Sequence, residues 1–222
     1  GWDLTFSAPK SVSVMALSEG GDKRLIEAHR NAVASTMRHI EENLAFIRKG
    51  VDGQQQLKKI DGLLYATFEH GTSRLLDPQL HSHNFVMNMG ELAGEFRSLE
   101  TKPIYDRMLD MGAFYRNELA TLSHRLGYDL DIKAGSQFEL ACVPDAVIKQ
   151  FSKRREEIKA AADERGLHGG KSMQQAALMT RENKLHADVE TCQTRWSGEC
   201  EAQGFSPEQH VPDEHHKRDV RQ

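Results

Sequence analysis

Glu69-His70 and, after ten further residues, His81-Ser82-His83-Asn84-Phe85-Val86-Met87 form the stretch that decides how this chain is read. Residues 63–70 have the apolar and β-branched content of a strand. Residues 71–79, with Pro78 near the end, make a loop, and residues 80–89 make a second strand. Side chains two apart on a strand share a face, so His81 and His83 project together. His70 reaches that face if the two strands pair side by side. Three imidazoles then converge, and neutral imidazole is a good ligand for first-row divalent metals, with coordination positions left open for a substrate oxygen. Phe85 and Met87 continue the histidine face and are expected to turn inward and dry the floor of the site. A lone His-x-His strand reads most simply as polar and solvent-facing. The third histidine, at the end of the neighbouring strand, moves the reading towards metal.

Outward from this centre, residues 2–7 alternate strictly, with Trp2, Leu4 and Phe6 on one face and Asp3, Thr5 and Ser7 on the other. After Pro9, Lys10 and Ser11 stand where a loop enters a helix, a place suited to phosphate contact, with a solvated lysine as the equal alternative. Asp22 is expected to cap a long helix whose stripe runs through Val33, Met37, Ile40, Leu44 and Ile47. Residues 50–56 read as a polar turn. A further helix begins near Pro103, with Ile104, Met108, Met111, Tyr115, Leu119, Leu122 and Leu126 towards the core. Residues 128–133 and 137–143 read as a hairpin. From Pro144 the chain is helical, with breaks at 166–170 and around Asn183, and residues 210–222 are polar enough to read as a disordered tail.

The 222 residues, 38% of them hydrophobic, suffice for one substantial core. A net charge of −4 excludes a protein that coats nucleic acid through bulk charge, so any DNA binding is local. Three cysteines without a CxxC pair indicate neither a disulfide framework nor a thiolate zinc site. No apolar run approaches a membrane span and the first residues lack a signal-peptide layout, which makes a cytoplasmic location the expectation. The sequence opens at Gly1 directly on a strand-like run, as a fragment lacking its natural beginning would.

The run from Gly1 to Ser13, GWDLTFSAPKSVS, followed by Gly20-Gly21-Asp22-Lys23-Arg24 and then Asp77-Pro78-Gln79-Leu80-His81-Ser82-His83, closely resembles conjugative relaxases of the TraI/TrwC type, which are HUH endonucleases. The likeness in order and spacing extends from Gly1 to at least Gly135, and more weakly beyond. It implies an α+β fold, a central antiparallel sheet flanked by helices with a mostly helical C-terminal part. Residues 1–143 would be the metal-binding core, 144–209 a helical part of the same domain, and 210–222 the tail. The resemblance also implies one divalent ion on His70, His81 and His83. The working ion would be magnesium or manganese, and zinc, nickel, cobalt or copper are also acceptable to imidazole. Asp3 would be the aspartate that orients a ligand histidine and helps deprotonate a tyrosine. That tyrosine would attack single-stranded DNA at an origin of transfer, with relaxosome accessory proteins and a coupling protein as partners. The family's U position, normally bulky and apolar, is Ser82 here, with its side chain expected to point away from the metal. The family's nucleophile lies upstream of the first strand, and none of Tyr65, Tyr105, Tyr115 or Tyr128 matches it.

Other readings stay open. Gly166-Leu167-His168-Gly169-Gly170-Lys171-Ser172 suggests a phosphate loop, but it is one residue short between its outer glycines and follows a helix, so it reads as a connector. A three-histidine hydrolase of a small substrate would need a deep closed pocket. A noncatalytic single-stranded DNA module would use the basic run Lys149, Lys153, Arg154, Arg155 and Lys159, although Glu156 and Glu157 within it suit a solvated face.

Overall fold

A computed structural model describes residues 1–51, 53–166 and 187–213. In chain order the elements are β1 (Trp2–Ser7), α1 (Lys10–Leu17), α2 (Arg24–Asn43), β2 (Phe46–Val51), β3 (Gln54–Lys59), β4 (Gly62–Thr72), β5 (Pro78–Leu92), β6 (Glu95–Arg97) and β7 (Leu99–Glu100). There follow α3 (Lys102–Asp106), α4 (Met108–Arg125), β8 (Leu130–Lys133), β9 (Gln137–Leu140), α5 (Asp145–Gln150), α6 (Lys153–Asp163), α7 (Val189–Glu201) and a 3-10 turn, Pro207–His210. The main sheet has the order β1-β5-β4, antiparallel throughout, with β6 pairing the far end of β5. Two smaller sheets, β3-β2-β7 and the β8-β9 hairpin, complete the antiparallel set, as the α+β reading expects.

Alternation along β5 decides which face is the core. Leu80, Ser82, Asn84 and Val86 are buried, while His81 and His83 are partly exposed and Phe85 and Met87 are open to solvent. Helices α1 and α2 pack on the buried side. There Phe6 meets Tyr115 of α4, with ring centres 5.3 Å apart. The expectation that Phe85 and Met87 turn inward is therefore overturned: they share the histidine face, at 45% and 42% exposure, because the helices cover the opposite side. Ser82 does point away from the histidine face, as expected.

The stripe on α2 is shorter than its sequence spacing suggests. The helix ends at Asn43, and Ile47 belongs to β2, where it is fully buried. Strand alternation happens to carry the spacing of four and three across the boundary. Asp22 accepts the Arg24 backbone N–H at 3.0 Å, serving the first turn of α2 from just outside it. Of the expected turn, residues 50–51 and 54–56 are the facing ends of β2 and β3. Met108 is 43% exposed, off the core face of α4, where Met111, Tyr115 and Leu119 are buried. β5 continues past Met89 to Leu92 and turns through Ala93 and Gly94, whose φ values of 52° and 80° suit a tight hairpin.

One hydrophobic cluster joins residues from β1 and α1 to Val147, Phe151, Trp196 and Phe205. The three cysteines are free thiols, two of them buried. Of the polar C-terminal stretch, His210 stacks on Phe205 and the Pro212 carbonyl accepts from Arg24. Residues 214–222 lie outside the described residues, as do 167–172 of the glycine-rich connector and the break at Asn183. Among the described residues no helix is long and apolar enough to cross a membrane.

Candidate metal centre

β5 supplies His81 and His83, and β4 supplies His70, which is the direct register partner of His81. On the other side of β5, Thr5 of β1 stands opposite His83. The three ring centres form a nearly equilateral triangle, 5.4 Å for His70–His81, 5.4 Å for His70–His83 and 5.1 Å for His81–His83. With metal–nitrogen bonds of about 2.1 Å and each ring centre about 1.1 Å behind its nitrogen, imidazoles placed tetrahedrally have centres roughly 5.2 Å apart. The ring spacing therefore fits one ion. Among the described residues no group of three or more His, Cys, Asp or Glu stands ready to hold a metal ion as the side chains are placed. Paired strands fix the spacing of the three positions, whereas χ2 of histidine is a broad torsion whose setting depends on the partners of each ring.

The tautomers follow from the partners. His81 Nδ1 lies 2.8 Å from the Gln79 carbonyl oxygen, which can only accept, so Nδ1 carries the proton. His83 Nδ1 lies 2.7 Å from Asp3 Oδ2 and 3.0 Å from Thr5 Oγ1, and Thr5 also donates to Asp3 Oδ1 at 3.3 Å. Each of these two rings would thus present Nε2 to an ion, with a protein acceptor behind it, the usual arrangement for a ligating histidine. Asp3 stands where its place on the polar face of β1 predicts.

Lys10 and Ser11 stand elsewhere than expected. The Lys10 ammonium is turned inward and donates to the Pro78 carbonyl at 2.7 Å and to Gln79 Oε1 at 2.9 Å. Burial pulls its pKa down to about 8, against the opposing pull of Asp77 and Glu139. It thereby pins the start of the strand that bears His81. Ser11 is fully buried, and its backbone N–H and hydroxyl both donate to Glu139, at 2.9 and 2.5 Å. The first turn of α1 does hold an anion, but the anion is the chain's own carboxylate from β9, which takes up the Ser11 N–H and hydroxyl. Within the basic run, Lys153 pairs with Asp77 and Glu199, and Arg154 with Glu157. A cleft of about 590 Å³ opens beside the histidine strand, lined among others by Ser7, Lys10, Gln79, Arg116, Arg154 and Arg155.

The sequence reading missed His29. It is fully buried on α2 and bonded on both ring nitrogens, to Tyr115 Oη at 2.6 Å and Ser82 Oγ at 2.8 Å. The signal was present: His29 sits four residues from both Leu25 and Val33, inside the apolar stripe of the helix.

A helix-backed antiparallel sheet with three histidines on its bare face, one of them seated on an aspartate, is the layout that the sequence resemblance implies for a conjugative relaxase. Residues 1–203 match the TrwC relaxase family, and the chain belongs to that family. It is 38% identical over 216 residues to the multifunctional conjugation protein TraI of Escherichia coli strain K12, covering 92% of this chain and 12% of that protein. The chain thus spans about an eighth of that relative's length. Among solved structures it resembles the metal-free conjugative relaxase TrwC in complex with oriT DNA, at 36% identity and TM-score 0.86, covering 92% of this chain and 74% of that one. The copper-bound complex of the same relaxase has TM-score 0.85 at 36% identity, covering 92% and 71%. A complex of TrwC with a 27-mer comprising the recognition hairpin and the cleavage site has TM-score 0.86 at 36% identity, covering 92% and 74%.

Proposed function

We propose that this chain is the metal-bearing part of a conjugative relaxase domain, which nicks one DNA strand at an origin of transfer by tyrosine transesterification in the cytoplasm, where that DNA is. The observation that carries the reading is the triangle of His70, His81 and His83 on an open face, with Asp3 behind His83. Partly exposed imidazoles on a sheet face suit a polymeric substrate. A divalent ion on the three histidines, magnesium or manganese at work, would place positive charge against the non-bridging oxygens of the scissile phosphate. The copper-bound and DNA-bound relatives lend support to both ligands.

The chain's own residues do the rest. Asp3 and the Gln79 carbonyl fix the proton on Nδ1 of His83 and His81, which keeps Nε2 basic and directed. Arg116, Arg154 and Arg155 give the neighbouring cleft positive charge for a phosphate backbone. In the reaction the tyrosine hydroxyl gives up its proton as its oxygen bonds to phosphorus, the bond from phosphorus to the 3′ oxygen breaks, and that oxygen takes up a proton. The DNA is left joined through its 5′ phosphate to the protein.

We place the attacking tyrosine outside these 222 residues. Tyr115 and Tyr128 are buried, with their hydroxyls on His29 and Asp22, and burial holds both phenols well above their usual pKa range. Tyr65 sits in a groove with Arg30, Val33 and Met37 of α2, on the face opposite the imidazoles. Tyr105 is exposed on α3. The test is incubation with an origin-derived oligonucleotide and manganese, followed by a denaturing gel. The chain alone should give no DNA-shifted band, and a longer protein including the preceding tyrosine segment should give one. A robust adduct from the chain itself would put the nucleophile at Tyr65 or Tyr105 and overturn this placement.

A further inference from the structure

We infer that His29, through Ser82, is a positioning residue for the three-histidine centre; the inference rests on the metal reading above. Ser82 lies between His81 and His83, with its side chain on the opposite face of β5, and is 2% exposed. Its hydroxyl meets His29 Nε2 at 2.8 Å, and His29 Nδ1 meets the Tyr115 hydroxyl at 2.6 Å, so a buried chain of hydrogen bonds runs from the histidine strand through α2 to α4. The next residue of α2 holds the other strand. Arg30 grips Glu69 with Nε at 2.9 Å and Nη2 at 3.0 Å, and Glu69 precedes His70. Ser82 and Glu69 are themselves register partners across β5 and β4. Two consecutive residues of one helix thus fasten the two strand positions directly beneath the imidazole triangle.

An apolar side chain could pack on α2 at any small rotation or slide of β5, whereas a hydrogen bond to a ring nitrogen has one distance and one direction. Both nitrogens of His29 are engaged, which fits a neutral ring with one donor and one acceptor. Twist or slip of β5 between residues 81 and 83 would spread the Nε2 atoms that must meet at one ion. The linkage from Ser82 to Tyr115 opposes that movement.

The experiment uses cobalt(II) as probe, with affinity and the visible ligand-field bands as readouts. Four proteins are compared: the parent, Ser82→Thr, Ser82→Ala, and an apolar triple variant, Ser82→Ala with His29→Leu and Tyr115→Phe. The triple variant removes all three members of the hydrogen-bonded chain together and so strands none of them without its partner, and its thermal melt should lie near that of the parent even if Ser82→Ala alone folds poorly. We expect Ser82→Thr to bind as the parent does. The triple variant should fold yet bind cobalt about tenfold to a hundredfold more weakly, with altered bands, as expected when the support of a ligand is removed. A folded triple variant with parental affinity and spectrum would overturn the inference while leaving the metal reading intact. A parent that binds no cobalt would overturn the metal reading and this inference together.

Discussion

Asp3 meets His83, and its contact fixes which nitrogen of that ring is bare. Asp3→Asn keeps an acceptor in place but removes the charge that makes the ring more basic. Calorimetric titration should therefore show metal affinity lowered by about tenfold or more with the melt unchanged, and unaltered affinity would remove Asp3 from the site. His29 makes a separate prediction about acid. An unfolded histidine titrates at 6.5, whereas burial holds His29 down to about 4 in the fold, with Glu69 pulling it upward and His81 and Arg30 downward. Between those values the unfolded chain binds more protons, so this stabilisation is complete above pH 6.5 and is lost as the pH falls through 4. For a shift of that size the loss is about 3 kcal/mol. Urea unfolding at pH 7 and pH 4.5 measures it against His29→Leu, in which other acid-sensitive groups remain. The parent should lose more stability on acidification than the variant, and equal losses would show that His29 does not titrate in this window.

Helix α1 illustrates how an element's surroundings override what its first residues suggest. Lys10 and Ser11 at a helix start look made for phosphate, but β9 brings Glu139 to the same backbone N–H across 128 residues of sequence. Glu139→Ala should leave the Ser11 N–H and hydroxyl without their acceptor in a buried place and cost about 1–3 kcal/mol in denaturant unfolding. A change within error would mean that water replaces the carboxylate. Such long-range pairs mark the limit of what could be read in advance. The β4 and β5 strands, the histidine face and the β8-β9 hairpin were legible, because alternation and turn residues are local signals. The inward or outward sense of that face was not, since both faces of β5 carry a mixture of polar and apolar residues and the covering helices decide between them. β3, Gln-Gln-Gln-Leu-Lys-Lys, is exposed along most of its length and has no alternation to read; backbone pairing with β2 makes it a strand. His29 was passed over because a histidine within an apolar stripe declares no partner until α4 and β5 are in place.

Across the whole molecule, distant segments converge on the loop between the histidine strands. Leu76, in that loop, has a φ of 61°, and its carbonyl accepts from Trp196 Nε1 at 2.8 Å and from Arg195, both on α7. The three histidines proposed as metal ligands have the opposite character. All three lie within residues 70–83, on one hairpin, whereas the Asp3 carboxylate reaches His83 from 80 positions away. This separation sets an order of assembly. A hairpin closes in microseconds, while pairing between remote strands waits on a larger loss of chain entropy and takes milliseconds to seconds. During refolding the imidazoles should therefore meet while His83 still lacks its carboxylate, giving a transient species that takes up cobalt loosely and surrenders it quickly to a chelator. Retention should tighten in a later phase, as β1 docks along β5. Stopped-flow dilution from urea into cobalt, with chelator added at increasing delays, resolves the two stages, and Asp3→Asn should abolish much of the late gain. Tight retention from the earliest delay would mean that β1 is already seated when the hairpin closes. The history that the geometry implies is one in which the chain can capture an ion before it can keep it.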